Sequence, residues 1–302
     1  MPVNGVPQDT IAIQDRGLAY GDGLFETILI HQHQPVLLEA HLYRLKTGAE
    51  RLRINLDSAA LDAEISALSP TFPASGVLKI IITRGTGGRG YLPAEQMSAT
   101  RITSLHPLPD YAAQQPERGM TAFVCQQRLA HQPALAGIKH LNRLEQVLAS
   151  LEWPGDEYLE GVMLDTLDHV VEGTRSNIFW VENGQLHTPA LDQCGVAGIM
   201  RNYLVDAMGN VLETPDCTLA RLGVAEEVFF CNSVFGVWPL LALQNGMTRI
   251  SFDPERRHFT RQAARAVADL LDATVARCRP PSTWQPSKRL LPVTKSGSSG
   301  AG

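Results

Sequence analysis

The chain has 302 residues, 44% of them apolar and 19% charged, with a formal net charge of −5. That is enough apolar chain to bury a sizeable core, in one large domain or two ordinary ones of roughly 100–200 residues each. A net negative balance without a long basic run argues against nucleic acid. No stretch reaches the ~18 apolar residues of a membrane span, and Met1-Pro-Val-Asn-Gly5 carries no export signal, so a cytoplasmic protein off the membrane is expected.

In chain order, Thr10–Ile13 reads as a short strand, followed by a glycine-rich turn from Asp15 to Gly23. Phe25–Ile30 and Pro35–Leu38 read as two further strands, joined by the hairpin loop His31-Gln-His-Gln34. The period then changes: Leu42, Leu45, Ala49 and Leu52 fall at helical spacing, and a second helix is expected over Ser58–Leu68. Gly76–Arg84 is a strong strand that runs into Gly85-Thr-Gly-Gly-Arg-Gly-Tyr91, and Ala99–His106 should pair beside it. A Pro- and Gln-rich piece over 107–116 reads as a connection between units. Beyond it come a strand over Gly119–Cys125, a helix with Leu141, Leu144, Leu148 and Leu151 on one face, and strands at Leu159–Leu164, Asn177–Val181 and Gln185–Thr188. A helix over Ile199–Met208, a strand over Glu227–Cys231 and a last helix over His258–Ala276 complete the pattern. Strands and helices mix without regular βαβ alternation, which predicts an α+β protein of two domains. The divisions are 1–110, a linker over 111–118, a larger unit over 119–278 and a flexible Pro-, Ser- and Gly-rich tail over 279–302.

Five cysteines, Cys125, Cys194, Cys217, Cys231 and Cys278, are scattered with no metal-knuckle pairing and read as reduced thiols. No histidine pair has metal-ligand spacing, no Ser-His-Asp set stands out, and the glycine turns match neither a P-loop nor a dinucleotide fingerprint. No metal is expected. The basic residues are more telling. Of 26 Lys and Arg only five are Lys: 46, 79, 139, 288 and 295. Lysine, unlike arginine, can be tuned to a neutral nucleophilic amine. Lys139 lies between Ile138 and the helix that follows, and competes with a plainer role as a surface lysine at a loop end.

A lysine that forms an imine with pyridoxal phosphate needs an anion for the pyridine nitrogen, a phosphate cradle and a group that recognises substrate. Glu172, after Val170-Val171, offers the anion, and is equally an ordinary turn glutamate. Gly195-Val-Ala-Gly-Ile-Met-Arg201 opens a helix whose free N–H groups suit an anion. Arg44 adds charge-assisted donors, or is a solvated helix arginine, and Cys231-Asn-Ser233 supplies small polar groups or mere turn chemistry. The cationic loop Arg84–Tyr91 can receive a carboxylate, or is a surface turn.

Taken in order over about residues 4–275, these motifs resemble the fold-type IV pyridoxal-phosphate enzymes, the group of branched-chain and D-amino-acid aminotransferases. The pieces are Asp15-Arg-Gly17 with Tyr20–Glu26, His41-Leu-Tyr-Arg-Leu45, Ile138-Lys139, Glu172 with Ser176-Asn-Ile-Phe179, and Gly198-Ile-Met-Arg201. Thr83–Tyr91, Leu135–Leu148 and Leu191–Arg201 are most similar to the 4-amino-4-deoxychorismate lyase branch. The resemblance implies that Lys139 carries pyridoxal 5'-phosphate as an imine and acts as general base, and that Glu172 contacts the pyridine nitrogen. It also implies that Arg44, the backbone of Ile199 and Met200, and Asn232 hold the phosphate. Lys139 or Thr27 would protonate the leaving enolpyruvyl group, and Arg89 and Tyr91 are candidates for the substrate carboxylates. Two departures are Met200, where transaminases carry a threonine, and Phe25, where some relatives carry a tyrosine. The expected activity is release of pyruvate and 4-aminobenzoate from 4-amino-4-deoxychorismate, on the route to folate, by a homodimer. An aminotransferase on the same scaffold and a ligand-binding relative without catalysis are the alternatives.

Overall fold

The computed structural model describes residues 1–110 and 118–276. The first unit is a six-stranded sheet in the order β2-β1-β6-β5-β3-β4. At its centre, β3 (Gly23–His31) pairs antiparallel with β5 (Ser75–Thr83) over its whole length, and β5 pairs with β6 (Thr100–His106). Period-2 alternation decides which way β3 faces. Leu24, Ile28 and Ile30 point with Leu78, Ile80 and Ile82 into a core closed by Leu45 and Ala49 of α2 (Leu38–Leu52) and Leu61 and Ile65 of α3 (Ser58–Leu68). Phe25 and Thr27 point the other way.

The expected strand at Thr10–Ile13 is absent. Those residues are exposed turn and coil, with Ile13 80% exposed, because no sheet edge lies beside them. The N-terminal strands are instead β1 (Pro2–Val3) and β2 (Val6–Pro7), with β1 on β6. The strand expected over Pro35–Leu38 shrinks to β4 (Gln34–Pro35), joined to β3 by the positive-φ pair Gln32 and His33. A left-handed Leu37 then starts α2 at Leu38. Of the linker over 111–118 only Arg118 is described, and the tail over 279–302 lies outside the described residues.

The second sheet has nine strands, in the order β12-β11-β10-β13-β14-β7-β8-β9 with β15 on β14, where β11 is Gln185–Pro189, β12 Val211–Thr214 and β15 Thr248–Ser251. It is mixed. The strands β7 (Met120–Leu129), β8 (Tyr158–Asp165) and β14 (Gly236–Asn245) run parallel, and β9 (Val170–Gly173), β10 (Asn177–Glu182) and β13 (Glu227–Asn232) add antiparallel pairs. One face packs Trp180, Phe230 and Trp238, and the other is covered by α5 (Ile199–Met208) and α7 (His258–Ala276). The architecture is α+β.

The helix after Lys139 is shorter than its pattern implies: α4 spans Leu144–Ser150. Its leucines do not enter the core of this chain, since Leu144 and Leu151 are 75% and 78% exposed and Leu148 is 50% exposed. The helical period holds, but none of the described residues covers that face.

Candidate active site

The segment carrying Lys139 is stitched on both sides. Phe25 N–H donates to the Lys139 carbonyl (3.1 Å) and Leu141 N–H to the Gly23 carbonyl (2.9 Å), binding the segment to β3 of the first sheet. Gly137 N–H donates to Gly195 O (3.0 Å) and Ala197 N–H to Gly137 O (3.2 Å), binding it to the loop ahead of α5 in the second unit. Arg51 adds bonds to the carbonyls of Ala134 and Ala136. Lys139 therefore sits on a main chain anchored to both units, with its side chain in a cleft of about 390 Å³ that Phe25, Arg44, Glu172, Ile199 and Asn232 also line. That volume suits a small organic ligand.

The amine of Lys139 opens on the cleft but is ringed by protein. Loss of water, reinforced by Arg44 and Arg143 and opposed by Glu26 and Glu172, brings its pKa down to about 8. Its Nζ lies 4.3 Å from the Phe25 ring centroid, a cation–π distance that holds the amine over the cleft when charged. The neighbouring His140 is pushed down to about 3 by burial and by Arg143, so it is uncharged at working pH.

Glu172 belongs to β9, where a strand rather than a turn fixes it, and is 4% exposed. Burial raises its pKa, against the pull of the Val196 N–H (2.8 Å to Oε2), Arg143 and Lys139. Gly195 brings that N–H into place with φ +83°, and a Cβ there would lie 2.8 Å from Val171 Cγ1. The remaining contact, from Gln146 Nε2 to Oε1, is long at 3.4 Å. Glu172 is thus a buried carboxylate with acceptor capacity to spare beside the cleft, a match for a protonated ring nitrogen.

Arg44 is set differently from a solvated helix arginine. It makes a bidentate pair with buried Glu26, Nε to Oε1 at 2.8 Å and Nη2 to Oε2 at 2.6 Å, and Nη1 donates to Ala197 O at 2.7 Å. His41 Nδ1 meets the same carboxylate at 2.6 Å. Burial raises the Glu26 pKa, but Arg44 and His41 outweigh it and hold the carboxyl down at about 2. The guanidinium is locked against the loop that leads into α5, and Arg44 lines the cleft. There Gly198 caps the helix without a side-chain bond, which leaves first-turn N–H groups for an anion. A Cβ on Gly198 would lie 2.0 Å from Asn177 Oδ1, so only glycine permits this approach. A lysine, a buried carboxylate and an uncapped helix start beside a fixed cation fit the demands of pyridoxal phosphate.

The other expected residues divide. Thr27 and Met200 line the cleft. Asn232 does too, but its Oδ1 accepts from Val234 and Phe235 N–H and its Nδ2 donates to Arg175 O, so most of its amide serves the turn after β13. Arg89 and Tyr91 are not among the lining residues. They lie in the exposed loop after β5, where Arg16 donates to the Gly90 and Tyr91 carbonyls and Tyr91 is 88% exposed. Arg84 is bound to Asp22 and to the carbonyls of Leu52 and Arg53.

Sequence reasoning passed over Glu26, Arg143, Gln146 and Glu160. Glu160 is fully buried and accepts from Thr174 Oγ (2.5 Å), Thr174 N–H (2.9 Å) and Ser176 Oγ (2.6 Å), which shapes the 173–176 wall of the cleft. The available signal was a charged residue at an inward strand position among apolar neighbours, which has to find a partner. Among the described residues no group of His, Cys, Asp and Glu could hold a metal, and no helix is long and apolar enough to cross a membrane.

Comparison with known proteins places the fold. The class IV aminotransferase family matches residues 23–243. An aminodeoxychorismate lyase of Vibrio harveyi is 38% identical over 255 residues, 83% of this chain and 93% of that protein. A branched-chain-amino-acid aminotransferase of Escherichia coli is 26% identical over 76% of this chain and 79% of its own length. The crystal structure of 4-amino-4-deoxychorismate lyase from Pseudomonas aeruginosa superposes with a TM-score of 0.80 at 46% identity, covering 88% of this chain and 97% of that one. The chain belongs to the class IV aminotransferase family, with the fold-type IV architecture.

Proposed function

We propose that the protein is a pyridoxal-phosphate-dependent lyase that converts 4-amino-4-deoxychorismate to 4-aminobenzoate and pyruvate. The observation that carries the reading is the cleft shared by Lys139, with its amine brought down to about 8, and the buried Glu172. The likeness to two lyases directs the choice among the family's reactions. Pyridoxal phosphate, when bound, supplies an electron sink for charge left on the carbon that bears the substrate nitrogen. Glu172 keeps the ring nitrogen protonated, through opposite charges in a site poor in water. Arg44, fixed by Glu26, and the N–H groups of Ile199 and Met200 bind the phosphate, with Asn232 contributing its remaining N–H.

Lys139 removes the proton from that carbon, since an amine near 8 has an appreciable neutral fraction at pH 7–8. The enolpyruvyl group then leaves, protonated by Lys139 or by Thr27 on the same wall, and formation of the aromatic ring makes the step downhill. Phe25 places an apolar face against the lysine and adds no hydroxyl of its own. We further infer a homodimer, because the exposed apolar face of α4, Leu144, Val147, Leu148 and Leu151, is covered by none of the described residues and a second copy would cover it. The four described cysteines are free and buried, in keeping with a reducing cytoplasmic setting.

The test is to load the protein with pyridoxal phosphate and supply aminodeoxychorismate without any keto acid. Release of fluorescent 4-aminobenzoate together with pyruvate is expected. Product that appears only when a keto acid is present, with an amino acid bleaching the visible band, would replace the lyase by an aminotransferase.

A further inference from the structure

Arg143 ends the turn after Lys139 and caps α4. It lines the cleft with Lys139, Gln146 and Glu172. Its guanidinium is anchored along one edge only, with Nε donating to His140 O at 2.8 Å and Nη2 to Ile138 O at 3.2 Å. Both acceptors are neutral carbonyls of its own turn. Among the described residues no carboxylate lies within 4.0 Å of it. The three buried arginines behave otherwise: Arg16 meets Asp22, Arg44 meets Glu26 and Arg201 meets Glu213. Burial lowers the pKa of Arg143, while Glu172 and Glu145 act on it only through space and partly offset that loss of water.

A guanidinium that lines a cleft with no carboxylate in contact keeps N–H groups for an anion that a ligand brings. A second unpaired atom stands on the same wall. Gln146, one helical turn on, points Nε2 toward Glu172, because an ionised carboxylate only accepts. Its Oε1 is therefore left buried without a partner. The expected carboxylate contacts, Arg89 and Tyr91, lie away from this wall.

We infer that Arg143 is a ligand-binding residue that receives an anionic oxygen at the α4 wall of the cleft. The inference rests on the lyase reading for its ligands. A ring carboxylate, carried by both substrate and product, is one source of that oxygen, and the phenolate of the bound cofactor is the other. Both present a carbon-bound oxyanion to the open edge of a guanidinium.

The experiment uses the holoenzyme and its R143Q and R143K variants, with benzoate and benzamide as matched probes that differ only in charge. If the carboxylate is the source, wild type prefers benzoate by roughly 10- to 100-fold, R143Q binds both alike, and R143K keeps part of the preference. If the phenolate is the source, the benzoate-to-benzamide ratio stays put. The midpoint at which the cofactor's visible band titrates then rises by about one pH unit in R143Q, since a cation that favoured loss of the proton is gone. Should R143Q fail to fold, R143K against wild type reads the same two quantities. The inference is overturned if both the ratio and the midpoint match wild type in every variant that folds. Wild type that prefers benzoate yet releases no 4-aminobenzoate from aminodeoxychorismate would sink the lyase reading and leave Arg143 in place. Wild type that releases product while both quantities ignore position 143 does the reverse.

Discussion

Glu26 is the hidden support of the cleft, and E26Q is the sharpest test of that claim. The carboxylate is fully buried, yet its pKa is held at about 2 instead of 4.5 by Arg44 and His41. A carboxyl titrating near 4.5 unfolded and near 2 folded contributes about 3 kcal/mol to stability, at about 1.4 kcal/mol for each pH unit. The sign follows from the depressed folded value: the contribution is complete above pH 4.5 and fades as pH falls toward 2. Urea unfolding of wild type and E26Q at pH 7 and pH 3 should therefore show a gap of about 3 kcal/mol that falls to roughly half at the lower pH. Because Glu26 also holds the Lys139 pKa up, E26Q should shift the titration of that amine below 8. A gap that stays constant across the pH range would refute the reasoning, since it would mean that Glu26 acts through packing and not through charge.

Other perturbations bear on the cleft directly. K139A should abolish both the visible band and the mass added on borohydride reduction with pyridoxal phosphate, whereas a retained adduct would move the linkage to another lysine. In wild-type protein freed of cofactor, reaction with pyridoxal phosphate should accelerate through about pH 8 as the amine loses its proton, and a rate flat from pH 6.5 to 9 would contradict the lowered pKa. G198A places a Cβ 2.0 Å from Asn177 Oδ1, so it should weaken binding of pyridoxal phosphate roughly tenfold or more while leaving pyridoxal, which lacks the phosphate, less affected. E160Q should cost about 1–3 kcal/mol in unfolding free energy, because a buried acceptor for Thr174 and Ser176 is half replaced by a donor.

How much of this was legible depends on whether a feature is local. The helices α3, α5 and α7 match their expected bounds, since each shows itself within a few residues: Asp57 accepts the Ala60 N–H, Gly198 opens α5, and α7 keeps an apolar stripe through Ala263 and Val267. Strand β14 lies where the sequence reading places no element; Pro239 interrupts its pattern, and is tolerated opposite Phe229 where β13 gives way to β15. The helical period of α4 was legible and its burial was not, because a period gives a face and cannot say which chain covers it.

The cleft follows the same rule with a sharper edge. Lys139 drew attention through the scarcity of lysine, and Glu172 and Gly198 through their motifs, but the means that hold them together cross long distances. Arg44 reaches Glu26 over 18 positions and Ala197 over 153. Arg89 and Tyr91 show the converse, a conspicuous motif that folding turns away from the cleft of its own chain. Glu26 alternates with Leu24 and Ile28 on the inward face of β3, and Glu160 follows Leu159 and shares its face of β8 with Val162. A carboxylate in such a position declares from sequence that a partner exists, because a charge buried alone would cost more than the strand gains. Which partner it takes is settled by packing, and here packing sets Glu26 on the Arg44 guanidinium and Glu160 on the hydroxyls of Thr174 and Ser176. The segment that carries Lys139 is held by main-chain bonds to Gly23 and Phe25 on one side and to Gly195 and Ala197 on the other, contacts that no local pattern announces.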